Sequence, residues 1–435
     1  RVLPEDKEYE RGLVTWLNAA VGPLVAGYLQ RLQRALPHTR LAVMQSSGST
    51  MAAEQAAEHA VRMLLSGPAG GLAGARFVAA QAQRERLLTF DMGGTSTDVA
   101  LLDGGLRLTN EGRIGPWPVA TPMVDMHTIG AGGGSIARLD SGGLLRVGPQ
   151  SAGALPGPAC YGRGGVEPTV TDANLILGRL RADAFLGGEM RLDIEAARRA
   201  MRRIAEPLGI TLEGAAEGVV QLANEEMARA LRVMSVQRGV DPRALTLVSF
   251  GGAGGLHVCA LAETLGMQRA LAPVHAGVLS ALGMLAARRG RQLSRTVQGE
   301  LRHLGTAHID AQLRDLALEG IGALRDEGIA ALEITSTPTL DLRYSGQSYT
   351  LEIPWSGAVD AAIEAYHRHH QHRYGHRLDR EVELVNLRLN LEGPEPAIRL
   401  TPLAPERARN APEQRVTLHG VGGVELWQRT ALPPG

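Results

Sequence analysis

Apolar side chains recur every three or four residues between positions 5 and 36, at Leu13, Trp16, Leu17, Val21, Leu24, Val25, Tyr28, Leu29 and Leu32. That spacing predicts a long helix, closed by Pro37. A short apolar strand is predicted at 41–44, then a polar loop at 45–50 and a helix over 52–64. Another helix starts in Ser66-Gly-Pro-Ala-Gly-Gly71 and runs to about Gln83. The pattern then switches to strands. Segments 87–90 and 99–102 are apolar and flank the turn Asp91-Met-Gly-Gly-Thr-Ser-Thr-Asp98. Asp103-Gly104-Gly105 makes a hairpin-type turn, and 106–108 is expected to start the third strand of a meander. Residues 115–170 are rich in glycine and proline with little periodicity, which predicts a long loop region used as a functional surface.

Helical spacing returns at 172–181, 193–208 and 214–238, the last with Gly239 as its C′ residue. An apolar strand at 245–250 enters Gly251-Gly-Ala-Gly-Gly255, followed by a helix at 256–265. This alternation predicts an α/β layer up to about residue 290. Beyond it, 340–353 alternates like paired strands, with a helix at 358–374 and a strand at 382–391. Two domains are therefore expected: 1–290, and an α+β domain over 291–435 that ends in a Pro-rich tail.

Composition narrows the function classes. The chain has 435 residues with 45 basic and 45 acidic side chains, so it lacks the basic excess of a nucleic-acid binder or a polybasic membrane-surface protein. No run of about 18 apolar residues stands out, which argues against a membrane span. Two cysteines cannot build a disulfide framework, so a reducing, cytoplasmic setting is expected. Lys7 is the only lysine. A Walker A loop, a protein kinase and a pyridoxal-phosphate enzyme each need a lysine at a defined place, and Lys7 has no glycine-rich loop beside it. Those three classes are set aside. The first residue is Arg1, without an initiator methionine, and the chain is expected to be a piece of a longer polypeptide.

Several segments could carry chemistry. In Asp91 to Asp98, Gly93 and Gly94 let backbone N–H groups approach an anion, and Thr95, Ser96 and Thr97 add hydroxyls. Asp91 and Asp98 are suited to a hydrated Mg²⁺ or to positioning a water; the plain alternative is an ordinary Gly-rich hairpin. Gly251, Gly252 and Gly254 lie in a strand-turn-helix segment ending at His257. It suits the adenosine side of a nucleotide, though a tight junction reads equally well. Asp125 and His127 are two apart and would share a side of an extended segment, as a metal-binding or acid/base pair; a surface ion pair is the alternative. Cys160 reads as a structural thiol, Cys259 as core, and Thr171 or Asp172 as a helix N-cap. The histidines at 367, 369, 370, 372 and 376 are scattered round a helix and read as solvated.

These segments together resemble the hydantoinase A / 5-oxoprolinase family of the actin/Hsp70/sugar-kinase ATPase superfamily. The resemblance runs through Pro4-Glu-Asp-Lys-Glu-Tyr-Glu-Arg11, Ser66-Gly-Pro-Ala-Gly70, Asp91 to Asp98, and Val124-Asp-Met-His-Thr-Ile-Gly-Ala-Gly-Gly-Gly-Ser135. It continues in Gly157-Pro-Ala-Cys-Tyr-Gly162, Phe250-Gly-Gly-Ala-Gly254 and Asp341-Leu-Arg-Tyr-Ser-Gly-Gln347. It implies an actin-like (ribonuclease H-like) ATPase core with a C-terminal α+β domain. It also implies ATP-dependent hydrolysis of a cyclic amide (a hydantoin, N-methylhydantoin or 5-oxoproline) through phosphorylation of the carbonyl oxygen. By resemblance, Gly93, Gly94, Thr95 and Ser96 hold phosphates, Asp91 or Asp98 orients Mg²⁺ or water, and Gly251, Gly252 and Gly254 take the adenosine. Asp125 and His127 would hold a second divalent metal or act as acid and base. A hydantoinase B-type partner subunit and an oligomeric assembly are expected, without nucleic acid or membrane. The family's earlier D-I-G-G-T-F-T-D hairpin has no match here, which leaves ATP hydrolysis by this chain alone in question. The alternatives are a subunit of an acetone- or acetophenone-carboxylase-like complex and a non-catalytic actin-like scaffold.

Overall fold

The computed structural model describes residues 2–115, 117–400 and 412–427. The chain folds into two compact units, each discontinuous in sequence. One gathers Arg1–Ala73, Leu108–Val124 and Gly283–Ala397; the other holds Gly74–Arg107, Asp125–Leu282 and the described residues from 398 on. The passage at 282–283 lies near the expected boundary at 290. The contacts nevertheless group 1–73 and 108–124 with the C-terminal part.

The second unit is built on a five-stranded sheet. Its strands are β1 (Arg86–Met92), β2 (Thr97–Asp103), β3 (Met126–Ile129), β4 (Thr246–Phe250) and β5 (Ala270–Leu271), in the spatial order β5-β4-β1-β2-β3. β1, β2 and β3 are antiparallel neighbours, whereas β4 lies parallel to both β1 and β5. Leu87, Leu88, Phe90, Val99, Leu101 and Leu247 are buried, as near-continuous apolar runs in a central sheet require. The third strand of the meander is therefore 126–129 and not 106–108. Residues 108–109 pair instead with Met123–Val124.

Helices Ile194–Leu208 and Leu212–Met234 pack into the same core. Their N-caps are Asp193, accepting from the Ala196 amide at 2.9 Å, and Thr211, accepting from Gly214 at 3.0 Å. Gly239 takes the left-handed conformation after the short turn Val236–Arg238. The helix expected at 172–181 is shorter, Val170–Ile176, and its cap is Thr169 rather than Thr171 or Asp172. Asp172 closes a capping box on Thr169 and also accepts the Ala159 and Cys160 amides. Residues 115–170 contain five short strands within 117–151, so this stretch is not a loop region. They lack a helical or alternating signal because each strand is at most seven residues long. Cys160 is fully buried, and its thiol pKa is raised by burial and by Asp172. Cys259 is exposed, because its helix buries Val258, Leu261 and Ala262 on the opposite side.

The first unit carries a four-stranded antiparallel sheet of β6 (Gly290–Glu300), β7 (Thr335–Tyr344), β8 (Leu351–Pro354) and β9 (Val382–Glu392), ordered β6-β9-β7-β8. Leu340, Leu342, Ile353, Leu387 and Leu391 alternate toward a core shared with helices Leu301–Asp326 and Val359–Tyr374. The paired strands and the second helix follow the sequence pattern; the 26-residue helix and β6 were not foreseen. Gly299, Gly305, Gly320 and Gly322 blur the helical period there. Helix Val359–Tyr374 is not wholly solvated. His367 and His370 are buried against Tyr344 and Tyr366, with His367 Nδ1 2.7 Å from the Tyr344 hydroxyl.

The N-terminal helix is Glu8–Ala35, with Val14 and Leu29 buried and Trp16, Leu24 and Tyr28 exposed. An 18-residue window within it has a mean hydropathy of 1.3, of which 11% is buried. By length and composition this helix could span a membrane, so the expectation that no segment could is corrected. Scattered Asn, Gly, Pro and Gln residues hide the window from a search for an unbroken apolar run.

Candidate functional site

All of the proposed site residues fall within the second unit. Strand β1 delivers Asp91 and β2 delivers Asp98 as direct cross-strand partners, and the turn between them is closed by the Gly93 amide donating to Ser96 at 3.0 Å. Phe250 of β4 is in register with Asp91 on the other side of β1. As β4 ends, Gly251 turns at φ +77°, and a Cβ there would lie 2.3 Å from Asp91 Oδ1 and 2.5 Å from the Met92 carbonyl. The Ala253 amide donates to the Met92 carbonyl at 3.0 Å. The two glycine-rich turns are thus adjacent, and glycine at 251 is obligatory for that approach.

The segment after β3 folds back onto the same hairpin. Gly133 and Gly134 donate to the Gly93 and Gly94 carbonyls at 3.0 and 2.7 Å, and Thr171 ties Gly133 in turn through its amide and hydroxyl. A Cβ on Gly132 would sit 2.7 Å from Thr95 backbone atoms. The glycines at 132–134 therefore serve close backbone packing under the hairpin, a role the sequence did not reveal.

What remains open is the outer edge. Gly94 and Thr95 are exposed, and added Cβ atoms at Gly94, Gly252 and Gly255 would meet no protein atom within 4 Å. Among the described residues, the hydroxyls of Thr95 and Ser96 have no hydrogen-bond partner, whereas Thr97 is buried and donates to the Ala131 carbonyl. Bare backbone and unengaged hydroxyls on a turn fit a polyanion such as a nucleotide phosphate chain. The carboxylates beside it are half-buried. Burial, and then the charge of Asp98, push the Asp91 pKa up to about 6. Burial likewise raises Asp98, opposed by the Thr128 hydroxyl, which donates to it at 2.6 Å. A cation between them would relieve both penalties. Mg²⁺ keeps several waters and needs only one or two carboxylates, so these residues fit it.

Asp125 and His127 do not form a couple with each other. Asp125 is held in a bidentate ion pair by Arg238, whose Nη2 donates to Oδ1 at 3.0 Å. Among the described residues no group of three His, Cys, Asp or Glu side chains is placed to hold a metal. Arg238 and Thr128 were missed, since neither lies in a segment with its own chemical signal. His257 is fully buried, with Nδ1 2.7 Å from Asn224 Oδ1 and Nε2 without a partner among the described residues. Burial, then Arg179, lowers its pKa to about 4, so the ring is neutral.

Residues 11–292 match the family described as Hydantoinase/oxoprolinase. The chain belongs to that family. It is 38% identical over 404 residues to caprolactamase subunit alpha of Pseudomonas jessenii, an alignment covering 89% of this chain and 58% of the relative. The crystal structure of the ATP-dependent caprolactamase from the same organism superposes with a TM-score of 0.82 at 34% identity, covering 96% of this chain and 63% of that one. The nucleotide-free structure of an acetone carboxylase gives a TM-score of 0.67 at 28% identity over 89% of this chain and 58% of that one. The chain thus spans less than two thirds of the length of these relatives.

Proposed function

We propose that this chain is the ATP-handling part of an ATP-dependent cyclic amide hydrolase, working with a hydantoinase B-type subunit in the cytoplasm. The observation that carries the reading is the open hairpin edge at 93–96, with the Asp91/Asp98 pair behind it and the 251–254 turn alongside. Similarity to a protein titled ATP-dependent caprolactamase supports it. So does the sheet order, three antiparallel strands followed by two strands parallel to the first, which suits an actin-like (ribonuclease H-like) ATPase core.

A lactam carbonyl is a poor electrophile because the nitrogen lone pair delocalises into it. ATP, when bound, would supply a phosphoryl group to the carbonyl oxygen so that the carbon can be attacked and the ring amine expelled; overall, lactam, ATP and two waters yield the ring-opened amino acid, ADP and phosphate. The chain's own residues perform the binding and positioning. Gly94, Thr95 and Ser96 would donate hydrogen bonds to phosphate oxygens, while Gly93, whose amide already donates to the Ser96 carbonyl, would keep the backbone beside them free of a side chain. Asp91 and Asp98 would hold hydrated Mg²⁺ and, when ionised, orient a water. Gly251, Gly252 and Gly254 would leave room for the adenosine. Asp125, fixed by Arg238, and His127 would face the amide.

A carboxylase reading, in which ATP activates a ketone enol and bicarbonate, is favoured by the superposition on acetone carboxylase. Co-expressing the full-length gene with its neighbour and screening lactams and ketones for ADP release decides between them. Release that depends on a lactam and yields an amino acid supports the hydrolase. Release that depends on a ketone and bicarbonate supports the carboxylase, and substrate-independent release supports a scaffold.

A further inference from the structure

The first unit contains a cavity of about 1,410 Å³ walled by the N-terminal strap, the start of helix Glu8–Ala35, residues 51–62, β6 and helix Leu301–Asp326. Its walls hold polar groups that the protein itself leaves unsatisfied. Arg291 is only 4% exposed. Its terminal nitrogens are held by Glu327, Gln55 and the Gly290 carbonyl, but its Nε has no acceptor among the described residues. Arg62 is tied through its backbone to Ser46 and His59, but its guanidinium makes no hydrogen bond or ion pair among the described residues. Its pKa falls to about 10, through burial first and then the charge of Arg291, with Glu319 opposing. His59 Nδ1 is buried without a partner, as is Asp6 Oδ1, whose sister oxygen accepts from Gln298 at 3.0 Å.

Buried polar atoms are nearly always paired, so three such atoms round one cavity, with the unpaired Arg62 guanidinium among its lining, point to a ligand that completes them. Guanidinium groups are donors only and call for an anionic acceptor; an ionised aspartate is an acceptor only and calls for a donor. A phosphate would meet the first need and be repelled at the second. The geometry points to a binding site for a zwitterionic amino acid, its carboxylate on Arg62 and Arg291 and its ammonium on Asp6. The choice of an amino acid agrees with the ring-opening reading, because opening a lactam releases this class of molecule. The site would then hold product in a unit separate from the nucleotide hairpin.

Calorimetric titration of this chain without nucleotide tests it, using 5-aminopentanoate, pentanoate, pentylamine and inorganic phosphate as probes. The amino acid should bind saturably at one site, at least tenfold tighter than any single-charge probe. Arg62→Gln and Asp6→Asn should each weaken it at least tenfold, with melting temperature as the control for folding. Asp6→Asn should leave pentanoate binding unchanged. No saturable heat with 5-aminopentanoate, phosphate binding as tightly, or unchanged affinity in the variants overturns the site. These titrations are independent of ADP release. Binding without lactam turnover sinks the hydrolase reading alone, and turnover without binding sinks the site alone.

Discussion

The hairpin at 91–98 and the segments around Glu5 and Asp341 resemble the same family equally well in sequence, yet the structure uses them in opposite ways. Arg388 of β9 is buried between Glu5 and Asp341, with Nη1 2.7 Å from Glu5 Oε1 and Nη2 2.7 Å from Asp341 Oδ2. Asp341 also accepts from Asn386 at 2.9 Å, and Thr296 donates to Asn386 at 2.8 Å. Burial pulls the arginine pKa down, but Asp341 and then Glu5 outweigh it and raise it overall. Each charged group in that network has its counterpart inside the protein. In the hairpin the two carboxylates are cross-strand neighbours with no arginine or lysine paired to either, and the Thr95 and Ser96 hydroxyls lack partners, among the described residues. Satisfied charge marks architecture here, and unsatisfied charge is what the proposed nucleotide site rests on.

The difference is open to measurement. Asp91→Asn in the assembled enzyme should lower substrate-dependent ADP release by about 10²- to 10⁴-fold with little change in melting temperature. Arg388→Ala should do the reverse. It strands two buried carboxylates, and denaturant titration should show a loss of about 3–5 kcal/mol. If the arginine variant melts like the parent, the contrast between the regions fails. Between these lies a glycine pair. Gly251→Ala forces a Cβ into Asp91 and Met92 at a positive φ and should cost about 1–3 kcal/mol from backbone strain, plus the clash. Gly94→Ala meets nothing and should stay within about 0.5 kcal/mol while weakening nucleotide binding several-fold.

Asp125→Asn or His127→Gln should abolish substrate-stimulated turnover and spare nucleotide affinity measured by titration. Unchanged turnover would favour the scaffold reading. The smallest effect is in pH. The folded pKa of Asp91 lies above its unfolded value, so its contribution to stability is full below pH about 4 and is lost as pH rises through about 6. Mg²⁺-nucleotide binding needs the ionised form and should strengthen over the same interval. In the Asp91→Asn protein both trends should shrink to the part that Asp98, also raised by burial, contributes.

Much of this was legible along the chain. Apolar runs located β1, β2 and β4, and helical spacing located the helices at 194–208 and 359–374, because both signals arise from burial that the final fold keeps. The turn that joins β1 to β2 was legible for the same local reason. The pairing of Asp125 with Arg238 was not, because the two are 113 positions apart and the ion pair exists only after the sheet and its covering helices assemble. Nor was the packing task of Gly132 to Gly134, since a glycine needed for contact and a glycine left open for a ligand are the same letter. The C-terminal stretches 401–411 and 428–435 of the expected Pro-rich tail lie outside the described residues.

The Glu5–Arg388 pair joins positions 383 apart. At about 5–20 residues per second of ribosomal synthesis, Glu5 emerges roughly 20 to 75 seconds before its arginine exists. The strap's ion pair with the sheet therefore cannot form until translation has passed β9.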